Sequence, residues 1–122
     1  MSRSRVTLGQ RGESLAVDEL TRRGYEIADR NWHCRIGEVD VVACRNGAWT
    51  FFEVRTRRGR AYGTPEESVT PGKMRRMTDV AQMYLSEHSM NVHQVDWRIG
   101  VVAVEMDEVG YLLRIDVYDG LW

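Results

Sequence analysis

Two neighbouring runs, Gly37-Glu38-Val39-Asp40-Val41-Val42 and Phe51-Phe52-Glu53-Val54-Arg55, set acidic side chains inside an otherwise apolar β pattern, and Arg45-Asn46-Gly47 supplies a turn between them. Side chains alternate between the two faces of a strand, so Glu38, Asp40 and Val42 share one face. Trp49, Phe51, Glu53 and Arg55 share a face of the partner strand. A hairpin closing at Asn46-Gly47 brings Asp40 toward the Glu53/Arg55 pair. Carboxylates in so apolar a setting are costly unless something pairs with them. Two partners suit them: a divalent cation held by oxygen ligands, or Arg55.

Outward from the hairpin, residues 9–23 carry Leu15, Ala16 and Leu20 at core spacing with Gly24 as a stop, which predicts a helix. Residues 1–8 read as a loose basic start, 25–32 as a strand, and 38–44 with 48–56 as the hairpin. Residues 57–64, rich in Gly and Arg, read as a mobile loop. Thr70-Pro71 supplies an N-cap and a proline at the first helical position. Met74, Met77, Ala81, Tyr84, Leu85 and His88 follow at helical spacing, which reads as a core stripe rather than a cofactor box. Residues 95–106 and 111–118 predict two more strands around the turn Asp107-Glu108-Val109-Gly110. With no repeat or linker, the order helix, three strands, helix, two strands predicts one domain over residues 1–122. Its fold class is an α/β sandwich whose mixed sheet includes a crossover helix.

The chain has 122 residues, 43% hydrophobic and 29% charged, which is ordinary for a soluble globular protein. No apolar run approaches the roughly 20 residues of a membrane span, and no signal-peptide pattern is visible, so the expectation is a cytoplasmic protein without a membrane partner. Cys34 and Cys44 lack CxxC spacing and a histidine cluster, and His33, His88 and His93 share no ligand spacing, so reduced thiols and no zinc site are expected. The net charge of −1 hides a polarity. Arg55, Arg57, Arg58, Arg60, Lys73, Arg75 and Arg76 outnumber Glu66 and Glu67 in one stretch. Glu105, Asp107, Glu108, Asp116 and Asp119 outnumber Arg114 in the last. Such asymmetry steers an anionic partner to one face. Lys73 is the sole lysine.

An acid on one strand followed by Glu-x-basic on the next suits magnesium chemistry on phosphodiesters. Carboxylates hold hard cations that polarise the phosphate and acidify a bound water. Val54, the x residue, packs in the core while its carbonyl oxygen faces the metal. Arg55, two positions on, can offset transition-state charge. Glu13 in the first helix is a candidate third acid. The competing structural account pairs Asp40 and Glu53 with Arg55, Arg98 or Arg35 and gives them no chemistry. Trp32, Trp49 and Trp97 read as core or rim aromatics, with base stacking as the alternative. The arginines of 57–60 read as a phosphate-binding loop or a solvated surface.

Several motifs occur in order: Gly12-Glu13 opening a helix, Gly24-Tyr25-Glu26-Ile27, Arg30-Asn31-Trp32, Gly37 to Val42, Phe52-Glu53-Val54-Arg55-Thr56-Arg57, Tyr62-Gly63-Thr64-Pro65, Val69-Thr70-Pro71 with Lys73, and Arg98-Ile99 before Val101-Val102. Together they resemble the YraN family, small bacterial proteins with a restriction-endonuclease-like fold, similar in turn to Holliday-junction resolvases and other PD-(D/E)XK nucleases. The resemblance implies a three-layer sandwich, a central mixed sheet flanked by helices, with Glu13, Asp40 and Glu53 in the metal-binding positions. The chain departs from the family's pattern at two places: Arg55 stands for the usual Lys, and Gly100 for the usual Asp. Arginine does not give up its proton, so Arg55 cannot act as a general base.

The leading expectation is therefore a nucleic-acid-binding protein that cleaves DNA, before RNA, with Mg²⁺ or Mn²⁺, branched or damaged DNA being favoured by analogy. Asp40 and Glu53 ligate the metal with the Val54 carbonyl, Glu13 contributes directly or through water, and Glu38 faces the same side. Arg55 stabilises the attacked phosphate. Arg57, Arg58, Arg60, Lys73, Arg75 and Arg76 track the backbone in a sequence-independent, salt-sensitive way. Two alternatives stand beside it: a non-cleaving binding module, and a structural domain whose acids and arginines pair with each other. A homodimer is an expectation from nucleases of this fold, and whether residues 111–122 pack on the sheet or form an interface stays open.

Overall fold

The computed structural model describes residues 6–120. Eight elements follow one another: α1 (Leu8–Arg22), β1 (Glu26–Cys34), β2 (Gly37–Arg45), β3 (Ala48–Arg58), a 3₁₀ turn (Glu66–Ser68), α2 (Pro71–Glu87), β4 (Trp97–Met106) and β5 (Leu112–Asp119). The five strands form one sheet in the order β1-β2-β3-β4-β5. Only β3 and β4 run parallel, joined through the 3₁₀ turn and α2, and every other neighbouring pair is antiparallel. The sheet is therefore mixed, and the α/β architecture is that of a restriction-endonuclease-like sandwich.

Both helices begin where side chains satisfy their first N–H groups. Thr7 Oγ1 accepts from the Gln10 N–H at 3.1 Å while Gln10 Oε1 accepts from the Thr7 N–H at 3.0 Å, a reciprocal capping box. The expected loose start at 1–8 is thus corrected at Thr7 and Leu8; residues 1–5 lie outside the described residues. Thr70 caps α2 and Pro71 occupies its first turn. Met74, Met77, Val80, Ala81, Tyr84 and Leu85 of α2 pack on Val39, Val42, Phe51, Ile99 and Val101. On the other face, Ala16 and Leu20 of α1 pack on Val41, Ala43, Phe52, Val102 and Val104. Trp32, Trp49 and Trp97 sit at the rim of the α2-side core.

Two boundaries differ from the sequence expectation for tertiary reasons. Arg57 and Arg58 belong to β3 rather than to a loop, because β4 offers them parallel partners, Arg57↔Glu105 and Arg58↔Met106. β1 continues to Cys34, two residues past the expected end, through pairing with Glu38 and Gly37.

The alternation along β2 also slips. Val39 and Val42, three residues apart, both pack on the α2 side, while Val41 and Ala43 pack on the α1 side. The slip falls at Asp40, between the β1 pairs Arg30↔Val41 and Trp32↔Val39. Opposite it, Asn31 takes a left-handed backbone, φ 52°, a conformation that asparagine tolerates better than most residues. The ladder between β2 and β3 stops at Val41↔Phe52, one step short of Asp40. The sheet is pried open at the position of the candidate acid.

Candidate functional site

Where β2 leaves β3, the Asp40 carboxylate replaces the missing strand: its Oδ2 accepts the Val54 N–H at 2.8 Å. In an antiparallel ladder the N–H and C=O of one residue point to the same side. The Val54 carbonyl therefore faces the gap beside Asp40 rather than β4. Glu53, the adjacent β3 residue, lies on the α2 face with Phe51 and lines a cleft of about 210 Å³ with Gly37, Glu38, Lys73, Arg76 and Met77. Glu13 arrives from the other layer. Its neighbour Gly12 is buried so close to β3 that a Cβ there would stand 1.9 Å from Thr56 Oγ1. The glycine lets α1 lie directly on β3 and sets Glu13 at the open end of the sheet.

Four acids, Glu13, Glu38, Asp40 and Glu53, thus gather at one end of the hairpin, close enough that the negative charges around Glu13 and Asp40 disfavour the ionisation of those two. Burial is the largest influence on Asp40 and pushes its carboxyl up to about 7; the Val54 hydrogen bond opposes the rise, and Glu53, Glu13 and Glu38 add to it. Burial likewise raises Glu13, against an opposing pull from Arg30 and with Glu38 and Glu53 adding to the rise, and its Oε1 is buried with no hydrogen-bond partner. Among the described residues no Arg, Lys or His comes within ion-pair distance of Glu13, Glu38 or Asp40. Of the arginines that the structural account names, one reaches an acid of this cluster, Arg55 on Glu53, and none reaches Asp40. Arg98 bonds Asp96 at 3.3 Å and lies 3.7 Å from Asp119. Arg35 is exposed. Arg55 pairs with Glu53 Oε1 at 3.2 Å and leaves Asp40 alone.

Arg55 is held in place by a residue without a sequence signal. Its Nε donates to Ser68 Oγ at 2.7 Å, and that hydroxyl donates onward to the Pro65 carbonyl at 2.6 Å. Lys73 Nζ donates to the Ser68 carbonyl at 3.1 Å. The 3₁₀ turn therefore organises both cations beside Glu53. Only the fold brings Ser68 there, 13 residues beyond Arg55 in the chain.

The remaining basic candidates divide. Arg75 and Arg76 are exposed on α2, and Arg76 lines the cleft. Arg58 Nε donates to the Glu108 carbonyl at 2.8 Å, and Arg60 holds Glu105 at 2.6 Å while staying two-thirds exposed. Arg57 is half-buried and its Nε has no partner. The histidines do other things: His88 stacks on Tyr84 at 3.9 Å, and His33 and His93 are exposed. Cys34 and Cys44 are free thiols.

The donor set at Asp40 is chemically that of a hard-cation site: carboxylate oxygens from Asp40, Glu53 and Glu13 and the Val54 carbonyl. The buried, partnerless Glu13 Oε1 is a donor of the kind a cation satisfies. As the side chains are placed, no three His, Cys, Asp or Glu among the described residues are grouped to hold a metal. Glu13 and Glu53 would have to turn toward Asp40 to complete the set.

Gly100 bears on packing rather than on this site. A Cβ there would meet Phe52 Cε1 and the Tyr118 carbonyl at 2.6 Å each, so Phe52 fills the space a side chain would need. Phe52 packs on the α1 side, the face opposite Glu53. No helix among the described residues is long and apolar enough to cross a membrane.

A family model described as "Uncharacterised protein family UPF0102" matches residues 12–104, a span that includes Glu13, Asp40, Glu53, Arg55 and Lys73. A UPF0102 protein of Roseiflexus castenholzii is 43% identical over 106 residues, covering 87% of this chain and 85% of its own length. One from Rhodococcus opacus is 48% identical over 99 residues, covering 81% and 82%. One from Mycobacterium tuberculosis is 44% identical over 105 residues, covering 84% and 80%. With the YraN-type motifs in order from Gly12 to Val102, a family model matching residues 12–104 and relatives of this identity along most of its length, the chain belongs to the UPF0102 (YraN) family.

Proposed function

We propose that this protein binds DNA across the cleft between β3 and α2 and hydrolyses its phosphodiester backbone with Mg²⁺ or Mn²⁺ at Asp40 and Glu53. The observation that carries it is Asp40: a carboxylate set into a break in the sheet, beside three further acids and with no cationic partner. A purely structural cluster does not leave such charge uncompensated. Asp40, Glu53, Glu13 and the Val54 carbonyl would hold the ion. A divalent ion there supplies Lewis acidity toward the phosphate and a more acidic water.

The protein's own groups supply the rest. The Val54 N–H fixes the Asp40 carboxylate, and Gly12 sets Glu13 against the open sheet end. Arg55, anchored by Ser68, offers a permanent positive charge to the attacked phosphate. Lys73, Arg75 and Arg76 offer backbone contacts on α2, without base readout.

One observation favours a second reading, a binding module that does not cut: Glu53 Oε1 is bonded to Arg55, and the acids stand apart as placed. The experiment that separates the two incubates the protein with duplex, single-stranded and four-way-junction DNA and with RNA, in Mg²⁺ or Mn²⁺, beside Asp40→Ala and Glu53→Ala. Cation-dependent cleavage lost in both variants supports hydrolysis. Salt-sensitive binding without cleavage under either ion leaves the binding module. Neither cleavage nor binding at low salt refutes both.

A further inference from the structure

Strand alternation places Glu53, Arg55 and Arg57 on the face of β3 that carries Phe51, and the β3–β4 ladder continues without a break to Arg58. The column thus runs from the candidate metal ligand to two cations in succession. Arg55 is held by Glu53 and Ser68. Arg57 lies about 6.7 Å farther along the strand. It pairs with no acid among the described residues, and its Nε is closed off from solvent without an acceptor. Arg11, Arg30, Arg35, Arg58, Arg75 and Arg76 also lack an acid partner, but all six are exposed to water that solvates them. Among the described arginines, only Arg57 is both half-buried and unpaired.

The acid beside it is already taken. Glu105 stands across the ladder from Arg57, yet its oxygens accept from Arg60 at 2.6 and 3.1 Å and from Arg114 at 2.7 Å. Arg114 in turn holds Glu66 and Asp116. A cation partly withdrawn from water is costly while it lacks a counter-charge, and no acid of the described chain relieves this one. Arg57 also gives up no ion pair on turning toward an incoming anion. Arg58 and Arg60 would have to leave the Glu108 carbonyl and Glu105. An anion arriving at the basic end of β3 therefore meets least opposition at Arg57.

We infer that Arg57 seats a second backbone phosphate of the bound strand, one flanking the phosphate at Arg55. This rests on the proposed binding of DNA at the cleft. The direction of β3 sets the order: the attacked phosphate lies at Glu53 and Arg55, and the flanking one lies at Arg57, farther from Asp40. A guanidinium meets phosphate oxygens through a fork of two N–H groups, and a contact of this kind fixes the register of the strand without reading a base.

The test measures binding of a fluorescent single DNA strand by anisotropy across a salt series in EDTA, so that neither metal nor cleavage enters. Arg57→Gln should bind roughly tenfold more weakly at low salt. It should also flatten the slope of log affinity against log salt by about 0.7, the share of one phosphate contact on a single strand. Arg57→Lys keeps the charge and should keep the slope. Arg23→Gln, which removes the same charge from a residue that Glu19 holds on α1, should leave it unchanged. Two separate phosphates require the slope losses of Arg55→Gln and Arg57→Gln to add in the double variant. Inorganic phosphate at matched ionic strength should weaken wild-type binding no more than chloride does. Circular dichroism identifies a variant that has lost its fold, and Arg57→Met then replaces Arg57→Gln. A wild type that binds no strand overturns this inference and the DNA reading together. Binding with an unchanged slope in Arg57→Gln overturns the inference alone. So does a double variant no worse than either single one, since both arginines would then grip one phosphate. An excess effect of inorganic phosphate that vanishes in Arg57→Gln also overturns it, by making the seat one for the free anion.

Discussion

Replacing Asp40 by Asn should stabilise the metal-free protein at neutral and alkaline pH. The amide keeps an oxygen to accept the Val54 N–H, while an NH₂ replaces the other oxygen and the charge is lost. The Asp40 carboxyl rises in the folded protein from its ordinary 3.8 to about 7, with burial as the main cause. A group raised in this way is bound to its proton in the fold when the unfolded chain has already released it. The folded state is therefore penalised progressively as pH climbs from about 4 to about 7, and the penalty levels off above that. At about 1.4 kcal/mol per tenfold, the full rise corresponds to about 4 kcal/mol. Because the carboxylate is only half-buried, water and side-chain relaxation reduce it, and about 2 kcal/mol is the expected gain for Asp40→Asn at pH 8.

Urea unfolding in EDTA, at pH 4, 6 and 8, measures it directly. The Asn variant should match the wild type near pH 4 and pull ahead with rising pH. Adding Mg²⁺ should then stabilise the wild type and leave the variant unchanged, since an ion that binds only the native state stabilises by mass action. A variant less stable than the wild type at pH 8 would refute the uncompensated charge itself. A gain in EDTA with no response of the wild type to Mg²⁺ would keep the electrostatics and count against a metal site.

Glu66 should behave oppositely. The Arg114 hydrogen bond holds its carboxyl down to about 2, so the stability it brings is present above about 4.5 and is lost as pH falls from there to about 2. With a third of the side chain exposed, about 1 kcal/mol is expected, and urea midpoints for Glu66→Gln should be flatter across that window than for the wild type. Gly12→Ala should cost about 1–3 kcal/mol in thermal unfolding, because its Cβ would collide with Thr56 and push α1 off β3; an unchanged midpoint would contradict that contact. Ser68→Ala removes the acceptor of the Arg55 Nε–H and should cost about 1 kcal/mol. It should also shift that Nε–H resonance and lower any cleavage more than it lowers DNA binding; an unmoved resonance would show that Ser68 does not position Arg55.

The sequence made legible what local pattern dictates. The hairpin around Asn46-Gly47, the Thr70-Pro71 start of α2, the Met74 to Leu85 stripe and the helix-strand order all follow from periodicity and turn chemistry. It missed what distant chain supplies. Arg57 and Arg58 look like loop until β4 pairs with them in parallel, and Ser68 carries no motif until the 3₁₀ turn brings it to Arg55. Strict alternation placed Asp40 in phase with Val42. The slip at Asp40 lies opposite the left-handed Asn31 on another strand, and a period-two reading of β2 alone has no access to it. That error matters, because the slip is what directs Asp40 onto the Val54 N–H.

The molecule contains its own control for what an ionic cluster without a ligand looks like. Below the 3₁₀ turn, Arg114 bonds Glu66, Glu105 and Asp116 at 2.6–2.8 Å, and Arg60 covers the nearly inaccessible Glu105 from another side. Tyr118 completes Glu66 at 2.8 Å. Each buried charge there has an opposite charge in contact, and Glu66 and Glu105 are held below their ordinary range. At the other cluster, Asp40 and Glu13 are raised above it, an oxygen of Glu13 bonds nothing, Arg55 pairs with Glu53, and Arg30 eases Glu13 only from beyond ion-pair distance. The chain holds 16 arginines within its 17 basic residues, so a shortage of cations does not explain the gap. A protein that neutralises one set of acids so thoroughly and leaves another exposed to its own repulsion gives up stability at the second set. That sacrifice is intelligible where the missing positive charge arrives from outside, as an ion or with an ion-carrying phosphate backbone.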